Sequence, residues 1–272
     1  MDEIFGPAAL AIYAGELDSL RTLLRDQPDL ATLRSSCSHP TLLQLVACEA
    51  ANLPDAVGAA RVLVDAGAEA EDPLVAAAGC GSRSVLEFLL DAGAPVDGRP
   101  AWTTLDEALY WSNTDIAALL VERGAHIRAL STAAALGDLA AIKQFFDESG
   151  ALLPSAGPVA SPFPDTVPAD LAHNRQAILN HAFVSAVNNG HSTVTEFLLA
   201  KGAQVNVKPP GFHWHGTALH AAVWRNDRAL VEWLLSHGAD RTIQDDMAHS
   251  NAHGWALHHG HTDLAAFLAP SS

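Results

Sequence analysis

The chain has 272 residues, 49% hydrophobic and 17% charged, enough apolar material for a packed core and far from the composition of a disordered chain. Its 31 acidic against 15 basic side chains give a formal charge of -16 with no long block of either sign. Such a field repels phosphate backbones, so neither nucleic acid nor an anionic membrane is expected as a partner. Three cysteines, Cys37, Cys48 and Cys80, have no metal-ligand spacing, and their odd number argues against a disulfide framework. The start, MDEIFGPAAL, lacks the basic and apolar regions of a signal peptide, and no run of 18 apolar residues is present. A soluble protein of a reducing cytoplasm is expected.

In chain order, two kinds of apolar phrase alternate. The first kind reads PAALAIYAG, PTLLQLVAC, DPLVAAAGC, TTLDEALYW, ALSTAAALG, HAFVSAVNN, GTALHAAVW and NAHGWALHH. The second ends in Gly-Ala: VLVDAGA at Ala68, FLLDAGA at Ala94, LLVERGA at Ala125, FLLAKGA at Ala203 and WLLSHGA at Ala239. FFDESGA at Ala151 is a looser copy, LLRDQPDL a degenerate one, and LAAFLAPSS the last. Val85, Leu86, Leu89 and Leu90 recur at helical spacing, so each phrase predicts a short amphipathic helix, stopped where glycine accepts a left-handed backbone. Two short helices bury too little surface alone, so such units are expected to stack.

GTALHAAVWRNDRALVEWLLSHGAD, Gly216 to Asp240, resembles an ankyrin repeat with little departure from the family pattern, and GHSTVTEFLLAKGAQVN is similar to a second half-repeat. HGWALHHGHTDLAAFLA resembles the last repeat of bacterial ankyrin proteins, which implies a bacterial source. The resemblance spans essentially the whole chain and implies an all-α solenoid of about eight helix-turn-helix repeats in a single domain, 1–272. It also implies a binding scaffold rather than an enzyme, although fold alone does not determine function.

The spacing is uneven. Steps between Gly67, Gly93, Gly124, Gly150, Gly202 and Gly238 are 26, 31, 26, 52 and 36 residues, against about 33 in the family. The longest step predicts a Pro-rich insertion between repeats five and six, residues 151–172, with Pro154, Pro158, Pro162, Pro164 and Pro168 forbidding helix. Phe163, Val159, Val167 and Leu171 are its apolar anchors. A smaller insertion, 50–57, falls between the two helices of repeat two.

In the ankyrin pattern, two positions at the end of each first helix look into the concave face. Here they are Tyr13 and Ala14, Gly79 and Cys80, Tyr110 and Trp111, Ala135 and Leu136, Asn188 and Asn189, Trp224 and Arg225, and His258 and His259. Exposed Trp, Tyr and Arg carry binding energy at interfaces, so these aromatic rungs are the candidate site. Trp102, Phe212 and Trp214 precede first helices, in fingers that reach the same groove. Trp233 and Trp255 fall at core positions.

Nine of the 14 histidines lie between His213 and His261. His220 is the histidine of the TPLH-like motif; His191, His237 and His261 occupy turn positions and are structural. His213 and His215 flank Trp214, alternating along an extended finger. His249 and His253 lie four apart, and His253 replaces an apolar residue. Zinc requires three or four convergent ligands, and no HExxH or CxxC pattern completes a set, so no metal or other cofactor is expected. No GxSxG, phosphate-cradling loop or dinucleotide fingerprint occurs; Asp106 and Glu107 beside Tyr110 are the only acid–base candidates in a groove.

Two functions fit. The first is a module binding a protein or peptide on the concave face through Tyr110, Trp111 and Trp224, with Asn188, Asn189, Arg225, His258 and His259 giving polar specificity. The alternative is a small-molecule or catalytic pocket of Tyr110, Trp111, Trp224, His213, His215, His258 and Asp106, closed by residues 151–172 as a flap.

Overall fold

The computed structural model describes residues 2–36 and 39–270, so Cys37 lies outside the described residues. The chain divides into two compact units, Met1–His126 and Ile127–Ser272. Helices and turns make up the described residues, with no strand among them beyond isolated bridges. None of these helices is long and apolar enough to cross a membrane.

In the first unit the helices come in pairs: α1 (Gly6–Ala14) with α2 (Leu17–Asp26), α3 (Leu42–Glu49) with α4 (Ala56–Asp65), α5 (Glu71–Gly79) with α6 (Arg83–Asp91), and α7 (Thr104–Tyr110) with α8 (Thr114–Glu122). First helices pack on first helices, α1 to α3 to α5 to α7, and second on second, α2 to α4 to α6. The sequence dictates this layering. First helices bury alanines such as Ala11, Ala47, Ala77 and Ala108, which let neighbours approach closely; second helices bury Leu24, Leu63, Leu89 and Leu120. Each such leucine contributes about 2 kcal/mol on burial. A short turn (Ala50–Asn52) fills the link between α3 and α4.

The second unit repeats the plan with α9 (Leu130–Leu136) and α10 (Leu139–Lys143), α11 (Arg175–Asn188) and α12 (Ser192–Ala200), α13 (Ala218–Trp224) and α14 (Arg228–Ser236), and α15 (Ala252–His258) and α16 (Thr262–Leu268). Here too α9, α11, α13 and α15 pack in succession.

One backbone device closes both kinds of helix. After five second helices a glycine at φ between 87° and 97° (Gly67, Gly93, Gly124, Gly202, Gly238) turns the chain. The following alanine N–H then reaches back five residues to a leucine carbonyl: Ala68 to Leu63, Ala94 to Leu89, Ala125 to Leu120, Ala203 to Leu198 and Ala239 to Leu234, at 2.9–3.0 Å. After the first helices the same bond runs to an alanine carbonyl, as in Ser82 to Ala77, Asn113 to Ala108, Asp138 to Ala133, His191 to Ala186 and Asp227 to Ala222. The left-handed residue before it is glycine at 15, 81, 137, 190 and 260, but Ser112 (φ 60°) and Asn226 (φ 55°) hold it in two places.

Successive pairs are also clasped at these turns. Asn113 Nδ2 donates to the Ala78 and Gly79 carbonyls (2.8 and 2.9 Å), His191 Nε2 to Ala135 O (2.9 Å), Arg225 Nη1 to Asn188 O (3.1 Å) and His261 Nε2 to Trp224 O (3.4 Å). Each donor satisfies carbonyls left open where the previous first helix ends.

FFDESGA departs from the expected helix end. The helix α10 stops at Lys143, and Asp147 instead closes a turn, its Oδ1 accepting from Ala151 N and Ser149 Oγ. Residues 151–172 then follow an irregular path with short turns at Pro154–Ala156 and Pro164–Thr166. Val159 N donates to Ala172 O (2.8 Å), and Gly211 N to Thr166 O (3.3 Å). Ala156 and Val159 are buried.

The α11 helix starts earlier than its counterparts and is buried from Ala177 to Asn188 without interruption. Its Asn180 is satisfied by Gln176, Gln204 and the Gln204 N–H. Its neighbour His181 is buried with neither ring nitrogen hydrogen-bonded, stacked on Phe212 at 4.7 Å and 27°. Gly211 lies close to the same imidazole: a Cβ there would be 3.0 Å from its Nε2 and 3.2 Å from Val159. Loss of water depresses the His181 pKa to about 4.

Two outcomes follow from these features. Ser112→Gly and Asn226→Gly should each raise stability by about 1 kcal/mol, because the left-handed backbone then carries no Cβ penalty; urea unfolding measures it. For His181, the unfolded chain takes up a proton below about pH 6.5 that the folded chain refuses until about pH 4. Stability contributed by the neutral ring is therefore lost as pH falls through that window, by about 2 kcal/mol at pH 5. His181→Phe should lose correspondingly less between pH 7 and pH 5 in the same measurement.

Candidate functional site

The site begins where α7 begins. Thr103 caps the helix: its hydroxyl accepts from Asp106 N (3.0 Å), and Asp106 Oδ2 accepts from Thr103 N (3.2 Å) and Thr103 Oγ1 (2.7 Å). Asp106, a candidate for groove chemistry by sequence, thus spends its carboxylate on the cap. Glu107, one residue on, turns the other way. Its Oε2 accepts the Trp102 indole N–H, and its Oε1 accepts the Trp111 indole N–H at 2.9 Å. Burial pushes the Glu107 carboxyl above its ordinary range, with the Asp106 charge adding to the rise and the two indole donors opposing it.

Two indoles hold this carboxylate, and the Tyr110 ring touches both of them. Trp102 and Tyr110 lie 5.8 Å apart at 78°, and Tyr110 and Trp111 5.2 Å apart at 76°. Trp111 is 43% exposed, while Trp102 and Tyr110 are half-buried. The structure brings Trp102, Tyr110 and Trp111 together, with the Glu107 carboxylate accepting from both indoles. The backbone of α5 leaves room for it: a Cβ on Gly79 would sit 2.4 Å from Glu107 Oε1.

Beside Gly79 the structure pairs two thiols that spacing did not connect. Cys48, at the end of α3, and Cys80, at the end of α5, lie close enough for their thiols to interact. The contact holds the Cys80 thiol below its ordinary value, opposed by burial and by the Glu107 and Glu49 charges. The same contact pushes the Cys48 thiol up, followed by burial and the neighbouring charges. The signal was present in the sequence: two successive first-helix phrases end in cysteine.

In the second unit, Trp224 is 54% exposed and packs edge-on against His259, with centroids 4.6 Å apart at 88°. His258 and His261 flank His259 at 4.9 and 5.9 Å. Burial and then these two imidazoles lower the His259 pKa. Arg225 is exposed except where it holds the Asn188 carbonyl; Asn188 and Asn189 are themselves buried. Trp224, Arg225, His258 and His259 thus share one end of α13 and α15, whereas the Asn188 side chain lies in the interior.

The finger before α13 departs from expectation. Phe212, expected to reach the groove, is 2% exposed because it stacks on His181. Residues 212–215 form a turn, with His215 N donating to Phe212 O (3.1 Å) and His215 left-handed at φ 47°. The alternation of His213 and His215 along an extended strand is therefore absent. His213 packs on Phe163 at 5.2 Å, and burial, then the His215 charge, lowers its pKa. Trp214 is half-buried, 5.0 Å from Phe212 and 5.9 Å from Trp255. Residues 151–172 meet this turn and α11 through Phe163, Thr166 and Val159.

Neither tryptophan expected in the core is fully enclosed. Trp233 is half-buried and stacks on His237 at 4.1 Å; Trp255 is half-buried and donates to Asp245 Oδ2 at 2.9 Å. Asp245 is a structural residue that the sequence pattern did not mark. Burial opposes its ionisation, but the Trp255 indole and the N–H groups of Ala248, Ser250 and Met247 outweigh burial and hold its carboxyl low.

The motif histidine His220 is 1% exposed; its Nδ1 accepts from Thr217 N (3.1 Å), and its Nε2 faces Ser250 O at 3.2 Å. His237 Nδ1 faces Trp233 O at 2.8 Å. Among the described residues no three His, Cys, Asp or Glu side chains converge as metal ligands would.

Comparison with known families matches residues 129–245 to the model described as ankyrin repeats (3 copies). Comparison with curated proteins finds no match. The match lies within the second unit, where His220 caps α13 and the Gly-Ala turns close α12 and α14. Residues 129–245 thus carry ankyrin repeats, and the helix pairs of both units, closed by the same turns, follow one plan.

Proposed function

We propose that the chain is a binding scaffold for a protein or peptide partner, gripped along the concave side of its first-helix ends. Ankyrin repeats are generally protein–protein interaction modules, which supports the class of partner. The observation that carries the reading is Trp224, an indole more than half exposed yet held edge-on by His259, with Arg225 next to it in the chain and His258 against His259. An apolar side chain kept in water and kept oriented costs stability without serving the core, and Trp and Arg are the residues on which interfaces concentrate their energy. The Arg225 guanidinium and the imidazoles beside that indole favour a partner segment with an apolar anchor and hydrogen-bonding groups next to it.

A photo-crosslinking residue in place of Leu257, 60% exposed beside this cluster, should capture the partner, while the same residue at Leu10, 72% exposed on α1, should not. Trp224→Ala should leave thermal unfolding nearly unchanged and weaken the captured partner's binding by about 30-fold, the loss of a hot-spot contact worth about 2 kcal/mol. Equal capture at both positions, or unchanged affinity, defeats the proposal.

A further inference from the structure

The rings around Glu107 have a chemistry of their own. Tyr110 stands nearly at right angles to both Trp102 and Trp111, at 78° and 76°, each pair in edge contact. Glu107 is drawn in by both indole N–H groups. Among the described residues of this unit, no lysine or arginine forms an ion pair with it. A partly buried carboxylate without a cation is costly, and the fold accommodates it deliberately: α5 carries glycine at position 79, where any Cβ would strike the carboxylate oxygen.

We propose that Trp102, Tyr110, Trp111 and Glu107 form a cage for a quaternary ammonium group. Aromatic faces attract a cation within about 6 Å of the ring centroid, and the carboxylate adds a full charge beneath it. The lining selects among cations. A lysine ammonium brings three N–H donors and a tight hydration shell, and this site has one carboxylate whose two oxygens already accept the indoles. A trimethylammonium has no N–H to satisfy, sheds water readily and presents methyl groups to the rings. Trp111, 43% exposed, leaves the cage open for entry.

The inference deepens the reading above for residues 102–111 alone. Its test reads a small cation, so either can fail without the other. Tryptophan fluorescence should be titrated with choline and with its uncharged carbon isostere, 3,3-dimethylbutan-1-ol. Choline should bind saturably, and the isostere at least tenfold more weakly. Trp111→Leu, which keeps apolar bulk but removes the π face, and Glu107→Gln, which removes the charge, should each weaken choline at least tenfold at unchanged circular dichroism. Should Trp111→Leu lose its helical signal, Glu107→Gln decides.

A short peptide carrying trimethyl-lysine, compared with its unmodified form, identifies the source. Binding tighter than choline by the modified peptide alone points to a modified protein, and choline binding as tight or tighter points to a free metabolite; both support the cage. Equal binding of choline and isostere, binding of neither cation, or full affinity in Glu107→Gln overturns it.

Discussion

A single backbone constraint recurs through this molecule: the chain leaves seven first helices and five second helices through a left-handed residue, so that an N–H can reach back five positions. That bond occurs with the same geometry after second helices, onto leucine carbonyls, and after first helices, onto alanine carbonyls. It fixes where these helices stop and therefore which residues stand at their ends. Tyr110 and Trp111 in the first unit, and Trp224, Arg225, His258 and His259 in the second, all stand at such ends, and their grouping within each unit is a consequence of termination rather than of attraction among them. The interior then follows from size. Alanine rows let first helices approach one another, and leucine rows fill the space behind them.

The part of the architecture that rests on this constraint was legible in the sequence. Gly-Ala after an apolar run predicts a helix stop, and the five clear copies all form one. FFDESGA misleads because the phrase is defined by its ending alone. Asp147 supplies a side-chain turn of its own there, and the helix before it has already stopped at Lys143. Trp111 and Trp224, placed at rung positions by the resemblance to ankyrin repeats, are exposed, since phase along a short helix is set by its stop.

Sequence reasoning reached less of the site chemistry, for physical reasons. Between Asp106 and Glu107 composition offers no choice; the capping hydroxyl of Thr103 claims the first and leaves the second to the indoles. Phe212 looks like a finger residue until His181 is known to lack a partner and to need an apolar cover. The Cys48–Cys80 contact joins residues 32 apart in the chain, and only the stacking of α3 on α5 brings them together. What remained hidden were the pairings between repeats, because a pattern that defines one repeat says nothing of its neighbour's side chains.

Those pairings make the units unequal partners in an array. Asn113 reaches to the carbonyls of α5, His191 to that of Ala135, Arg225 to that of Asn188, and the glycines at 81, 137 and 190 lie directly beneath the arriving side chains. A segment spliced out, or replaced by a consensus copy, would strand acceptors on one side and donors on the other. Cooperativity in this chain therefore resides in its joints: unfolding should spread along it as a zipper whose teeth are individually keyed, and each repeat has a proper place in the order.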